Sequence, residues 1–420
     1  MGVFRRRWFL VAAMATMAAV GLGARAQAKV QITYWTIGTG SQTYRSAQEP
    51  LIEEFKKTHP DIDLKVEFMP SDVGNKLTVA LASHTEPDIV TLSTRNSPAF
   101  IAQGALAPVD FSAFGVKDAD GFARLFLPGM TGILQMMGGF YYVPTEVSIF
   151  GTWYNQDMLQ KAGFDKIGQT WQELADMSKK FIRMDPTGKW TQWGLGLDRG
   201  WIWPVFHWVA FTRQSGTDWI TADGKPNFAD KRAVAGLQFY QDLFLKQHVM
   251  DPALLDSTTA FGQGKVAIHV GVSYQAADWE RAKAPFTWVS APYPYLQGGR
   301  KSTPAYAYGD FVVATSKHKK EAWEVIKFFT IDHPETWYQN SAIFLPAAGD
   351  WVKEVLRTRP YYAAFLQEFA NGALEIAHPQ YSSISSAIGA ADSDLITKGM
   401  SVQQVLTNLQ EKLTPIMAKK

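Results

Sequence analysis

Val30-Gln31-Ile32-Thr33-Tyr34-Trp35 and Asp88-Ile89-Val90-Thr91-Leu92 bracket the stretch that decides the fold. The first segment alternates and is rich in β-branched and aromatic residues, so it reads as a strand. Glu49 to Thr58 then carries Leu51, Ile52 and Phe55 at helical spacing and stops before Pro60. Ile62, Leu64, Val66 and Phe68 fall on one face of a second strand, and Lys76 to His84 reads as a short helix. Asp88 to Leu92 is a strand of the fully buried type. Strand, helix, strand, helix, strand predicts an α/β fold, a sheet with helices on its faces. Ligands of such sheets sit beyond the carboxyl ends of the strands. Here those ends are Thr36 to Gln42 and Ser93 to Asn96, both polar and rich in small residues.

Further along, helices dominate. Thr170-Trp171-Gln172-Glu173 and Ser401-Val402-Gln403-Gln404 have the spacing of capping boxes. Asp230 is placed to cap a helix carrying Val234, Leu237, Gln241 and Phe244. Lys319 to Thr330 is amphipathic, with Ala322, Val325, Ile326 and Phe329 on one side. No internal repeat is present, which argues against a solenoid or propeller.

The 420 residues are 46% hydrophobic and 19% charged, a globular composition. Arg5, Arg6 and Arg7 precede an apolar run from Phe9 to Val20, and Ala26-Gln27-Ala28 follows as a small-x-small cleavage site. Residues 1–28 therefore read as a secretory signal peptide cleaved after Ala28. The Arg6-Arg7 pair also suits the twin-arginine export route. Without the four arginines of that segment, 37 basic residues face 39 acidic ones. A mildly acidic chain without basic runs predicts no nucleic-acid partner. There is no cysteine, hence no disulfide, thiolate metal site, thiol nucleophile or lipidated anchor. The expected location is the periplasm.

Patterns of catalysis are missing. No two of the eight histidines lie closer than His318 and His333, so zinc-binding spacings do not occur. There is no nucleophile elbow, P-loop or dinucleotide fingerprint. These absences predict a protein that is not an enzyme, with no cofactor and no metal. Aromatic residues are what the chain concentrates. Trp190, Trp193, Trp201, Trp203, Trp208 and Trp219, six of fifteen tryptophans, fall within one short stretch. A planar ring presents an apolar face to the C–H face of a sugar, while the sugar hydroxyls keep polar partners. Large aromatics also fill cores. Trp201-Ile202-Trp203-Pro204, following Gly200, is the segment best placed to line a pocket.

Several blocks occur in an order that resembles the family 1 extracellular solute-binding proteins, the maltose-binding-protein-like carbohydrate subunits of ABC importers. They are Phe55-Lys56-Lys57-Thr58-His59-Pro60-Asp61-Ile62, Glu86-Pro87-Asp88-Ile89-Val90, Gln103-Gly104-Ala105-Leu106-Ala107-Pro108, Trp153-Tyr154-Asn155-Gln156-Asp157-Met158-Leu159 and Phe261-Gly262-Gln263-Gly264-Lys265-Val266-Ala267-Ile268. Gln156 stands where the family usually has lysine. The resemblance implies a two-lobed periplasmic binding protein fold (type II) with a ligand in the interlobe cleft. It implies three chain crossings, near Thr145 to Ile149, Tyr306 to Phe311 and Ile343 to Leu345. The N-lobe would take residues 29–146 and 305–344, and the C-lobe 147–304 and 345–420. Carried over by position, the ligand-binding residues would be Thr36, Gln42, Ser93, Thr94, Arg95, Asn96 and Glu146, with Trp201, Trp203, Tyr274, Tyr308 and Asp310. The implied partners are a carbohydrate and the membrane permease of an importer, served by a monomer with no stable membrane anchor.

Other functions stay open on the residues. A secreted glycosidase or lyase would use carboxylates such as Glu146 and Asp310. A ferric-ion binder would draw on Tyr141-Tyr142 or Tyr361-Tyr362. A binder of phosphorylated ligands would need clustered cations, for which Arg95 with Arg199 is the one candidate pair. Asp198 and Arg199 would otherwise pair with each other or with solvent.

Overall fold

The computed structural model describes residues 29–38, 42–70, 73–200, 202–221, 224–341 and 346–418. The signal segment and the third expected crossing, Ile343 to Leu345, lie outside the described residues. Ten strands form one curled mixed sheet. β1 (Val30–Ile37) pairs in parallel with β2 (Ile62–Met69) from Val30↔Ile62 to Ile37↔Met69, and with β3 (Ile89–Ser93). The others are β4 (Val143–Asn155), β5 (Arg183–Met184), β6 (Trp190–Leu197), β7 (Val266–Val272), β8 (Trp288–Ala291), β9 (Thr303–Val312) and β10 (Gly372–Leu374). The order is β2-β1-β3-β9-β4-β7-β6-β5, with β10 on β9 and β8 on β4.

β4 is the joint of this sheet. Its first half, Val143 to Ile149, runs antiparallel to β9, and its second half, Phe150 to Tyr154, runs antiparallel to β7. A strand with neighbours on both edges and helices on both faces must be apolar or satisfied throughout. All but one residue of β4 is buried. Close approach of β4 to β9 requires Gly309, because a Cβ there would sit 2.3 Å from the Tyr142 ring.

Two cores flank the joint. One gathers Ile32, Tyr34, Leu51, Phe55, Ile89, Leu92, Phe311 and Phe329. The other gathers Trp171, Leu195, Phe206, Trp208, Phe211, Leu237, Ile268, Ile388 and Leu406. Tyr308, half-buried, packs against both.

Local signals act as expected at several helix starts. Thr170 Oγ1 accepts the Glu173 amide at 3.2 Å and Glu173 returns a bond to the Thr170 amide at 3.0 Å, a complete capping box. Asp230 accepts the Arg232 amide. Ser401 accepts the Gln404 amide at 3.4 Å, but among the described residues the return bond from Gln404 is not made. The first helix departs from expectation. It spans Gln42–Thr58 and carries Pro50 inside. Proline supplies no amide and is tolerated in a first turn, so Glu49 with Pro50 next is the start that local sequence favours. Packing of Tyr44, Ala47, Leu51 and Phe55 on the first core holds the extra turns.

Candidate functional site

Alternation along β9 sends Tyr306, Tyr308 and Asp310 to one face. The registered partners Ser148↔Tyr306 and Glu146↔Tyr308 put Ser148 and Glu146 of β4 on the same face. This face floors the region between the two cores. Glu146 accepts hydrogen bonds from the Tyr44 hydroxyl and from Ser148 Oγ at 2.6 Å. Burial raises its pKa, against the pull of those donors and of Arg95. Tyr44 meets Tyr308 and Trp337 edge-on.

Arg95 follows β3 and lies over the floor. Its guanidinium is 4.7 Å from the Tyr306 ring centre and donates to the Tyr308 hydroxyl at 3.2 Å. Burial opposes its charge, but Tyr308, Glu375, Tyr306 and Tyr381 together more than offset that and raise its pKa. From the second core, Phe206 packs on Tyr306 at 5.4 Å, and Trp203 packs on both Phe206 and Phe150. Trp203 and Tyr274 are both half-buried. Burial raises the Tyr274 hydroxyl pKa, against hydrogen bonding to Tyr306, and nearby Glu146 adds to the rise.

Beneath this surface lies a supporting layer. Asp310, wholly buried, accepts from Tyr34 at 2.8 Å and Thr91 at 2.6 Å. Gln48 donates to Thr36, whose own hydroxyl can then donate to Thr91 at 3.1 Å. Burial pushes the Asp310 carboxyl up to about 6. Ser93 Oγ accepts the Asn96 amide and Thr94 Oγ1 accepts the Ala307 amide, so both shape the turn that delivers Arg95. Behind Tyr274, Gln275 accepts the Val272 amide and donates to Asp198, which also accepts two bonds from Thr258. That web fixes the turn from β7 into the Gln275–Ala282 helix.

The structure thus brings Arg95, Glu146, Tyr274 and Tyr308 together, with Trp203 at the edge. Thr36, Ser93, Thr94 and Asp310 belong to the supporting layer, and half-buried Asn96 starts the following helix. Trp201 and the side chain of Gln42 lie outside the described residues. Sequence reasoning missed Tyr44, Tyr306, Glu375 and Tyr381. The Tyr306-Tyr308-Asp310 alternation could have yielded Tyr306; Glu375 and Tyr381 follow no motif. Trp208 and Trp219 are core, and Trp193 bonds to Asp251.

Two alternatives lose their groups. Asp198 and Arg199 do not pair among the described residues: Arg199 binds Asp392 at 2.8 Å inside the second core. Tyr142 donates to the Ile133 carbonyl and Tyr361 to Glu280, so one hydroxyl of each tyrosine pair is engaged within the fold. A separate cavity of about 650 Å³ lies beside Tyr338, Trp351 and Arg359, where Arg359 ties Glu280 to Tyr338.

Comparison places this geometry among known proteins. A putative binding protein of Brucella abortus (strain 2308) is 25% identical over 320 residues, 74% of this chain and 75% of that one. The lactose-binding protein of Rhizobium radiobacter is 27% identical over 284 residues, 64% of each. The fold matches the sugar-binding protein MalE of Xanthomonas citri with a TM-score of 0.78 at 19% identity, over 93% of this chain and 98% of that chain. Residues 38–331 match the family model of the bacterial extracellular solute-binding proteins. The two-lobed α/β fold and this match agree, and the chain belongs to the bacterial extracellular solute-binding protein family.

Proposed function

We propose that this protein captures a sugar or oligosaccharide in the cleft between its lobes and delivers it to an ABC-type importer. The observation that carries the reading is the convergence of aromatic faces and hydrogen-bonding groups at one place. Trp203, Tyr274, Tyr306 and Tyr308 offer rings, and Arg95 and Glu146 offer polar contacts. Rings take the apolar face of a sugar and the polar groups take its hydroxyls. Relatives support it: an arabinooligosaccharide-binding protein of Halalkalibacterium halodurans is 25% identical over 238 residues.

In this reading residues 29–146 and 305–344 form one lobe and the remainder of the mature chain the other. Thr36, Gln42, Ser93, Thr94, Arg95, Asn96 and Glu146 serve the cleft from the first side, as do Tyr308 and Asp310 at the crossing. Trp201, Trp203 and Tyr274 serve it from the second. The signal is removed after Ala28 and the monomer works in the periplasm. Catalysis is disfavoured because Glu146 and Asp310 are each engaged by two hydroxyl donors, and Asp310 has no exposure.

A thermal-shift screen against neutral sugars tests the proposal, since a ligand of the native state raises stability by RT ln(1 + [L]/Kd). At least one sugar is expected to raise the melting temperature and to be recovered intact by chromatography. Shortened products would restore the glycosidase, and no shift with any sugar would refute the ligand class.

A further inference from the structure

Buried carboxylates in this chain are satisfied almost everywhere. Asp310 accepts two hydrogen bonds, Asp198 three and Asp392 three. Glu375 breaks that pattern. It is 4% exposed, yet among the described residues neither carboxylate oxygen has a hydrogen-bond partner. The hydroxyl of Tyr381, also buried, has none either. Native proteins rarely leave such groups unmade, because desolvation then goes uncompensated.

Its place in the sheet says where the missing partner belongs. β10 pairs with β9 in parallel, ending at Leu374↔Ala305, so the next residue, Glu375, falls opposite Tyr306. The Glu375 amide donates to the Ala305 carbonyl, while Ala307 exchanges bonds with Thr94. Residues two apart on a strand bond to the same edge. Glu375 and the Ser93–Asn96 turn therefore meet on one edge of β9, and Glu375 shares the floor face with Tyr306, beneath the Arg95 guanidinium. The groups facing it are Arg95 after β3, Tyr306 and Tyr308 of β9, Tyr142 ahead of β4, Tyr381 and Arg213. Arg213 spends one nitrogen on the Leu374 carbonyl at 2.7 Å. No ion pair joins Arg95 to Glu375 among the described residues. With Glu146 on the same face, the floor holds two carboxyl groups, and Arg95 and Arg213 are the cations that face Glu375.

We propose that Glu375 is a specificity-determining residue of the cleft, which accepts hydrogen bonds from hydroxyls of a neutral sugar and disfavours anionic sugars. The inference rests on the sugar-binding reading and sharpens it. A ligand hydroxyl supplies the donor that the protein withholds. Above about pH 7, where Glu375 is ionised, a uronate or sugar phosphate would bring a second negative charge beside a buried carboxylate.

The test uses the mature chain and its Glu375→Gln and Glu375→Leu variants. Lactose, D-tagatose and maltotetraose serve as neutral probes, with galacturonate as the anionic one. In the absence of ligand, urea unfolding is expected to show both variants at least as stable as the parent, because each removes a buried carboxyl group that has no hydrogen-bond partner. Titration calorimetry is expected to show at least tenfold weaker binding of the best neutral probe by Glu375→Leu. Galacturonate should gain relative to that probe in Glu375→Gln. Variants that lose stability would make Glu375 a structural residue and overturn the proposal; so would unchanged affinities. The unfolding comparison needs no ligand. If the parent binds no neutral probe, the sugar reading fails by itself, while stability still decides whether Glu375 is held for function or for the fold.

Discussion

Tyr274 and Trp203 approach the floor from the second core and are half-buried. If they stack on the ligand, Tyr274→Ala or Trp203→Ala removes a buried platform. Truncation of such a contact costs on the order of 2 kcal/mol, or roughly thirtyfold in affinity. Calorimetric titration of the folded variants checks this, and unchanged isotherms would make both rings packing residues. Titration adds a second prediction at this scale. Burial pushes Glu375 up to about 7 from an ordinary 4.5, against Arg95, its own amide and Arg213. Its proton is held in the fold and absent from the unfolded chain between those values. Its contribution to stability is thus full below the lower value and lost as pH rises through about 7. His207 works the other way, pushed down by burial to about 4 from 6.5, so its contribution is lost as pH falls toward about 4. The two oppose each other in the parent protein. The difference between Glu375→Gln and the parent isolates the first. That difference is expected to grow in favour of the variant from pH 5 to pH 7.5, by urea midpoints, and a flat difference would contradict it.

Helices and strands show what the amino-acid order made legible. The β1-to-β3 alternation and the Thr170 capping box could be read because hydrophobic period and cap chemistry are local. Gln42 to Gln48 was not readable as helix, because Pro50 argues locally against it and only packing of Tyr44 and Ala47 argues for it. Asp392 was invisible for a related reason. It accepts from Arg199 at 2.8 Å, Trp208 at 2.9 Å and Tyr240 at 3.0 Å, all far away in sequence. Asp392→Ala would strand the Arg199 charge inside the second core. Breaking one half of such a pair typically costs about 3–5 kcal/mol. Urea unfolding should show a loss of that order, and a loss below about 1 kcal/mol would mean that the pair is solvated. Thr170→Ala, by contrast, should cost only ~1 kcal/mol through its lost cap.

For the whole molecule, the resemblance supplied the two lobes, and the family match and fold agree with it. Individual cleft residues were harder. Arg95, Glu146, Tyr274 and Tyr308 converge, but Thr36, Ser93, Thr94 and Asp310 turned out to brace the floor from below, because position along a strand end does not say which way a short side chain bonds. Function at this scale follows from where the groups sit. In the proposed division Arg95 serves the first lobe and Trp203 and Tyr274 the second, so a sugar that touched both would gain contacts when the lobes approach. That differential affinity is what can shift the population toward closure, the hinge motion of periplasmic binding proteins. A permease can then distinguish loaded from empty protein by shape. Small-angle scattering of the mature chain, alone and saturated with the sugar that raises its melting temperature most, tests this directly. The account predicts a smaller radius of gyration with sugar bound; an unchanged radius at saturation would contradict it.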